Sequence, residues 1–272
     1  MKNIVRAEWQ RLWNQKITWF SLILIPFILI FAAKLHQNRN EHLAPNHPNY
    51  TYANNFPIFS MYEQMTIVLN IVVLLIVVLH VAYEYHSGQM RFILQRTITF
   101  PRLIFAKWLT ISLFLALFLF VYFICSIIIG FIYFEYSPQL TLLHRTEPAE
   151  FTEVLIYSLS YYGLAFVTLV TMASVMMTLC LISKSTTGAI GLTVGFVLFS
   201  FIYPNIILLF FNHPFAGVFV YSSLVVVQFE GISLMLTGEL EAKILLLTVI
   251  LIYLVMSNFI SNLLARKREH YI

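Results

Sequence analysis

The chain has 272 residues, of which 60% are hydrophobic and only 10% are charged, whereas soluble domains have about 45–50% apolar and about 25% charged residues. This composition excludes a water-soluble globule, because too few charged side chains are available to cover its surface. The 16 basic and 12 acidic residues give a formal net charge of +4, and the basic residues are unevenly distributed along the chain.

Residues 1–16 are expected to form an amphipathic helix. Arg6 and Arg11 lie off its apolar face, which has residues at the spacing i, i+4, i+7 and i+8. These are Val5, Trp9, Leu12 and Trp13. The pattern predicts an interfacial helix that lies on the membrane, and the alternative is a basic flank that only fixes the topology.

Six apolar runs are long enough to cross a bilayer as helices, which need about 20 residues each. The predicted spans are residues 17–33, 61–83, 103–134, 154–182, 188–211 and 243–264. A signal peptide is the alternative for the first run, but signal cores have only about 7–15 apolar residues. The runs predict an all-α polytopic membrane protein in which residues 1–272 form one transmembrane domain.

The distribution of Lys and Arg predicts the orientation of the spans. Placing both termini in the cytoplasm puts twelve of the sixteen basic residues on the inside, as the positive-inside rule requires. We therefore expect a multi-pass protein of a cell membrane, most simply the bacterial cytoplasmic membrane. Residues 34–60, which contain three prolines, would then form an external loop.

Residues 212–242, between spans 5 and 6, are predicted to form an external re-entrant helical hairpin. Their apolar core, residues 215–227, is too short to cross a bilayer and too hydrophobic for a free loop. In span 5, Gly191 and Gly195 form a GxxxG motif that favours close helix packing. Pro204 is expected to break or kink the same span near its external end.

The hairpin and Pro204 together are candidates for an external gate. Glu230, Gly231 and Gly238 are expected to mark the return of the chain to water. The candidate gate residues are Pro204, Gly217, Glu230, Gly231 and Gly238.

The sequence contains no HExxH motif, no GxSxG motif and no aspartate. His80 and Glu84 have the i, i+4 spacing of metal ligands on one helix face, but a single pair favours a structural role. We therefore predict no catalytic and no metal-binding residues. The absence of a GxxxxGK[ST] loop means that the chain is not itself an ATPase of that class.

Residues 84–102 connect spans 2 and 3 on the predicted cytoplasmic side. Charged and apolar helix-forming residues alternate there, which is typical of a short amphipathic helix. We predict that a protein partner binds this segment from the cytoplasm. A basic loop that faces lipid is the alternative.

These features resemble the permeases of type-2 ABC exporters, six-span proteins whose ATPase is a separate polypeptide. In that family an interfacial helix precedes span 1. The first cytoplasmic loop carries an E-x3-G element, a hydrophobic stretch, a Pro-x-Ser-Arg-like turn and a lysine that opens span 3. The matching residues are Glu84, Gly88, Ile93, Leu94 and Lys107. Thr97 and Phe100 replace the usual proline and arginine of the turn, and Pro101 and Arg102 follow.

The resemblance implies that the first cytoplasmic loop couples the permease to its ATPase. The candidate coupling residues are Glu84, Gly88, Arg91, Ile93, Leu94, Pro101, Arg102 and Lys107. The implied assembly has two permeases, either identical copies or paralogues, on an ABC ATPase dimer that binds ATP and Mg²⁺. No cofactor is expected on this chain, and its other partners are membrane lipids rather than nucleic acid.

The implied function is ATP-driven export of a hydrophobic or amphipathic substrate, by a chain that is not an enzyme on its own. A peptide antibiotic or toxin is preferred as the substrate over a lipid, a drug or a polysaccharide. The alternative function is a membrane scaffold or sensor that transports nothing.

Overall fold

A computed structural model of the chain describes residues 1–45, 47–88, 99–138, 140–141, 148–210, 216–237 and 239–269. These residues are mostly helical, and a single antiparallel pairing joins Leu140–Thr141 to Pro148–Ala149. Six of the helices are long and apolar enough to cross a membrane. The prediction of an all-α chain with six helices that are long and apolar enough to cross a membrane is therefore confirmed.

The spans follow an N-terminal helix, Lys2–Asn14. Spans 1 to 6 are Lys16–Asn40, Val68–His86, Phe100–Tyr133, Phe151–Ile182, Thr186–Phe210 and Leu240–Glu269. A separate helix, Phe56–Met65, lies between spans 1 and 2. Span 2 contains a π-helical turn, Val78–Tyr83, before its last residues.

Span 4 forms the centre of the bundle. In its most apolar stretch 78% of the residues are buried, compared with 17% in span 5 and 22% in span 6. The span begins after Glu150, which forms a reciprocal capping box with Glu153 and so satisfies amide groups at the helix start. Near its other end, Thr178 Oγ1 lies 2.9 Å from Ser257 O of span 6. Spans 5 and 6 leave most of their apolar side chains facing the region where a bilayer would lie.

Span 1 is longer than predicted because its polar end makes specific contacts. The first residues of the predicted external loop instead continue the helix to Asn40. Buried His36 has Nε2 3.2 Å from Glu63 Oε2, and Arg39 donates to Glu63 Oε1 at 2.6 Å. Asn40 exchanges two hydrogen bonds with the backbone of Thr51, at 2.7 and 3.0 Å. These contacts hold the end of span 1 against the helix that precedes span 2.

The predicted span 61–83 is divided by a break after the helix Phe56–Met65. At the break, Asn70 Nδ2 lies 3.1 Å from both Met65 O and Thr66 O. The prediction of one continuous span was wrong here, because the Asn70 side chain takes the place of backbone donors at these carbonyls.

Pro204 does not break span 5, which continues to Phe210. Proline has no amide hydrogen, so the carbonyl four residues earlier, at Ser200, loses its helical donor. Ser223 Oγ, from the segment after span 5, donates to Ser200 O at 2.5 Å. A donor from outside the helix therefore allows proline within it.

Two short helical arms connect spans 5 and 6, and we call them the hairpin. The arms are Ala216–Tyr221 and Leu224–Met235, the second of which includes a π-helical turn. The turn between the arms lies beside span 5, where Tyr203 Oη is 2.8 Å from Ser222 Oγ. Two arms are therefore present where a helical hairpin was predicted.

Glu230 and Gly231 lie inside the second arm, not at its end as predicted. The helix continues past both residues to Met235, and Gly231 packs closely against span 6. A Cβ atom at Gly231 would lie 3.0 Å from Leu246 Cδ2. Gly217 is exposed in the first arm, and Gly238 lies outside the described residues.

Gly191 and Gly195 do not mediate helix packing within the described part of the chain. A Cβ atom at either position would meet no other atom within 4 Å. Both residues are exposed on span 5. Close packing at the GxxxG motif therefore stays a prediction for contacts with another chain.

Candidate functional site

Lys107 lies in the first turns of span 3 and is fully buried. Its ammonium group donates to Glu8 Oε2 at 2.7 Å, to Glu84 Oε2 at 2.6 Å and to the carbonyl oxygen of His80 at 2.9 Å. We call the group formed by these four residues and Arg11 the charge cluster. It joins the N-terminal helix, the end of span 2 and the beginning of span 3.

Two features of the backbone bring the cluster residues together. Glu8 and Leu12 are one helical turn apart, and both are buried where the N-terminal helix packs against the bundle. His80 lies in the π-helical turn of span 2, and Glu84 follows directly after that turn. Such turns are frequent at functional sites, and this one carries the carbonyl group that accepts from Lys107.

Arg11 and Gln15 cover the cluster from the side of the N-terminal helix. Arg11 Nη1 lies 3.1 Å from Glu8 Oε1 and 3.8 Å from Glu84 Oε2. Gln15 Nε2 lies 3.4 Å from both Glu84 Oε1 and His80 Nδ1. The side chain of Arg11 is 40% exposed, so the cluster is closed by a residue that reaches its edge.

The cluster contains two carboxylates, one ammonium and one guanidinium group, so its formal charges balance when His80 is neutral. A buried charge without a partner is costly, and breaking a buried pair typically destabilises a protein by about 3–5 kcal/mol. Each buried charge of the cluster therefore has its partner only when all three helices are in place.

Glu8, His80 and Glu84 have ligand atoms that all lie within 4.8 Å of one another, a spacing that a metal ion would accept. The Lys107 ammonium, however, is hydrogen-bonded to both carboxylates. It supplies the positive charge that a metal would otherwise bring to the cluster.

Only part of the predicted apolar face of the N-terminal helix packs against the bundle. Leu12 is fully buried, whereas Val5, Trp9 and Trp13 remain partly exposed. The prediction missed Glu8, which is 1% exposed and shares the buried side with Leu12. Its signal in the sequence is weak: a single carboxylate in a basic segment, paired at long range with a single lysine in span 3.

The predicted coupling residues divide into three groups. Glu84 and Lys107 belong to the buried charge cluster, and Pro101 and Arg102 lie in the first turn of span 3. Gly88 follows span 2 with a φ angle of +79°, a left-handed conformation that suits glycine at a helix end. Arg91, Ile93 and Leu94 lie outside the described residues.

A second polar group, which we call the amide site, lies between span 2 and the hairpin. Asn70 Nδ2 donates to Gln228 Oε1 at 2.7 Å, and both residues are buried. Among the described residues, Asn70 Oδ1, Gln228 Nε2 and Thr66 Oγ1 have no hydrogen-bond partner. Buried polar atoms without a partner are rare and often mark a bound water or ligand.

An apolar crevice adjoins the amide site between span 2, span 5 and the hairpin. It consists of two cavities of about 380 and 230 Å³, and Thr66 and Phe201 line both. Asn70 lines the larger cavity and Glu230 the smaller one. A mostly apolar wall with a few polar groups is typical of ligand-binding sites.

The family model of the protein of unknown function DUF2705 matches residues 19–271. The chain belongs to this family. The match includes His80, Glu84 and Lys107 of the charge cluster, and the whole amide site, but it begins after Glu8. No curated protein matches the chain in sequence.

The two sites in this DUF2705 chain have different chemical capacities. The charged groups of the charge cluster are paired with one another, which suits a mechanical connection between helices. The amide site has hydrogen-bonding capacity that the described part of the chain does not use, which suits the recognition of a polar group in an apolar ligand.

Proposed function

We propose that the chain is the permease subunit of an ATP-driven ABC exporter in a bacterial cytoplasmic membrane. Both termini are cytoplasmic in this proposal. Two permeases, identical or paralogous, act with a separate ATPase dimer, which binds ATP and Mg²⁺. The substrate is hydrophobic or amphipathic, and a peptide antibiotic or toxin is preferred.

The charge cluster is the observation that carries this proposal. A coupling segment must transmit a movement of the ATPase to the membrane helices, and the proposed segment, residues 84–102, begins and ends beside the cluster. The short hydrogen bonds from Lys107 to Glu84 and Glu8 join spans 2 and 3 and the N-terminal helix. A force on the segment would thus reach three helices together.

The burial of Glu84 refines the role of the segment. Glu84 is 5% exposed and so acts as a positioning residue, which fixes where the segment leaves span 2. Direct contact with the ATPase is assigned to the rest of the segment, with Arg91 as its central basic residue.

The crevice beside the amide site supports a path for an amphipathic substrate. Its apolar walls suit hydrophobic side chains, and Asn70, which lines the larger cavity, retains an unpaired acceptor. The N–H of a peptide group would complement this acceptor. A lipid acyl chain has no such donor, so the crevice favours a peptide.

The hairpin supports an external gate. Its turn bonds to Ser200, ten residues before the end of span 5 at Phe210, which corresponds to about 15 Å along a helix. A turn at that depth from the predicted external side is what a re-entrant hairpin requires.

Affinity purification of the tagged chain from its native membrane tests the proposal. We expect an ABC ATPase to copurify and to hydrolyse ATP, and we expect an amphipathic peptide to stimulate that hydrolysis after reconstitution into liposomes. Arg91→Glu should reduce ATPase recovery at least several-fold, whereas Lys184→Glu, in the short link between spans 4 and 5, is the matched control and should not.

Two results would reject this function. A purified chain without associated ATP hydrolysis would favour the scaffold or sensor. Equal ATPase recovery with Arg91→Glu and Lys184→Glu would reject residues 84–102 as the coupling segment.

A further inference from the structure

A cleft of about 890 Å³ lies between spans 3, 4 and 6, at the same end of the bundle as the charge cluster. Arg102 and Arg266 line it. Arg102 is the third residue of span 3, and Arg266 is the fourth from the end of span 6. Two helix ends therefore bring two guanidinium groups to the lining of one cleft.

Neither arginine is neutralised by the described part of the chain. Among the described residues, the arginines that have a carboxylate oxygen within 4.0 Å of a guanidinium nitrogen are Arg11 and Arg39. The planar guanidinium group binds phosphate through paired hydrogen bonds. Arg102 and Arg266 thus form a site of positive charge that is available to an anion.

Besides the polar side chains of Asn258, Ser261 and Asn262, the cleft has an aromatic wall. Phe105 and Phe259 line its wall and are 50% and 59% exposed. At the deep end, Trp108 Nε1 donates to Ser174 Oγ at 2.8 Å. Trp108 is six residues from Arg102, or about 9 Å along a helix, so the cleft extends inward along the apolar part of the spans.

We propose that this cleft binds an anionic phospholipid. The phosphate lies between Arg102 and Arg266, and the upper part of an acyl chain lies along Phe105 and Phe259. Basic pockets between membrane helices are known to bind anionic headgroups. The aromatic wall favours a lipid over free phosphate, because a phosphate ion would leave that wall without a ligand.

The site is independent of the proposed transport function. Arg102 also belongs to the proposed coupling segment, so the test uses the purified chain without any ATPase. A negative result here would leave the copurification experiment unaffected.

Fluorescence quenching of Trp108 tests the proposal directly. The other three tryptophans are replaced in a Trp9→Phe, Trp13→Phe, Trp19→Phe variant, which is reconstituted into phosphatidylcholine vesicles with a minor fraction of phosphatidylglycerol. One series carries bromine on the acyl chains of phosphatidylglycerol, and the other carries it on the same mole fraction of phosphatidylcholine.

We expect stronger quenching by brominated phosphatidylglycerol, because two arginines should enrich the anionic lipid at the site on the order of tenfold. Arg102→Gln with Arg266→Gln should remove the preference. Lys184→Gln, at another exposed basic residue of this end, should retain it.

Three outcomes would overturn the proposal. They are equal quenching by the two brominated lipids, a preference that persists in the double arginine variant, and a preference that inorganic phosphate abolishes while the same ionic strength of chloride does not. The last result would identify free phosphate as the ligand.

Discussion

Lys107 donates hydrogen bonds to both carboxylates of the charge cluster, at 2.7 and 2.6 Å. Its removal would leave Glu8 and Glu84 buried, close together and of like charge. We expect Lys107→Met to destabilise the chain by about 3–5 kcal/mol, measured by unfolding in mixed micelles. Lys184→Met, at an exposed lysine, is the matched control and should change the stability by less than about 0.5 kcal/mol.

A combined variant separates electrostatics from packing. If the destabilisation comes from unpaired charge, Glu8→Gln, Glu84→Gln and Lys107→Met together should recover a large part of the lost stability. A combined variant as unstable as Lys107→Met alone would show that the lysine stem, rather than its charge, supports the three helices.

Glu63 is expected to make the contact at the end of span 1 sensitive to acid. Burial alone would raise its pKa, but hydrogen bonds and positive charge from His36 and Arg39 outweigh burial and lower the pKa below its usual 4.5. The ionised form therefore stabilises the fold above pH 4.5, and this contribution is lost as the pH falls through the lowered pKa.

The prediction for Glu63 is a change in that acid dependence. Glu63→Gln should lower the stability at neutral pH by about 1–2 kcal/mol and flatten the loss of stability below pH 4.5. Unfolding measured from pH 3 to pH 7 checks both effects, and Glu241→Gln, at an exposed glutamate, is the control. An unchanged acid dependence in Glu63→Gln would exclude this contact as its source.

At the scale of elements, Ser223 connects the hairpin to span 5 by replacing the donor that Pro204 lacks. Ser223→Ala would leave Ser200 O without that donor, and we expect a loss of about 1–2 kcal/mol. In a Pro204→Ala background the helix supplies its own amide to Ser200, so the same change should cost less. Stability of the four variants in a double-mutant cycle measures the coupling, and additive costs would reject it.

Element boundaries were predictable where local pattern decides them and not where distant partners do. Apolar length was enough to find all six spans. The break before span 2 depends on Asn70, and the continuation through Pro204 depends on Ser223, which is 19 residues away in sequence. A remote hydroxyl or amide that satisfies a backbone carbonyl leaves no periodic signal in the segment it stabilises.

The residues of the candidate sites divide in the same way, into those that a local pattern reveals and those that depend on distant partners. Glu84 and Lys107 were singled out from a linear motif, because they flank one segment that was predicted to be cytoplasmic. Glu8 was missed because its partner lies 99 residues away. The pairing of Asn70 with Gln228, across 158 residues, was likewise invisible to spacing rules.

For the whole molecule, the topology makes a prediction about chemical access. In a chain with Cys125 and Cys180 replaced by alanine, single cysteines at Gly217 and Glu239 should both react with an impermeant maleimide added outside cells. Both positions are exposed, and they lie near opposite ends of the hairpin. Lys184→Cys is the control, and it should react only after the membrane is permeabilised.

Labelling of Gly217→Cys and Glu239→Cys from opposite sides would mean that the hairpin crosses the membrane. Labelling of both only after permeabilisation would invert the proposed orientation. The second result would also place the arginine cleft in the other leaflet.

The charge cluster also constrains the order in which the chain can be assembled during synthesis. Glu8 and Glu84 emerge from the ribosome before Lys107. Until Lys107 has been synthesised, both carboxylates therefore lack the cation that pairs with them in the folded chain. The N-terminal helix can therefore settle against the bundle only once span 3 has entered the bilayer. Lys107 in turn is inserted next to Glu84 of span 2, which lowers the cost of burying a lysine. During biogenesis, spans 2 and 3 would thus assemble first, and the N-terminal helix would pack against them afterwards.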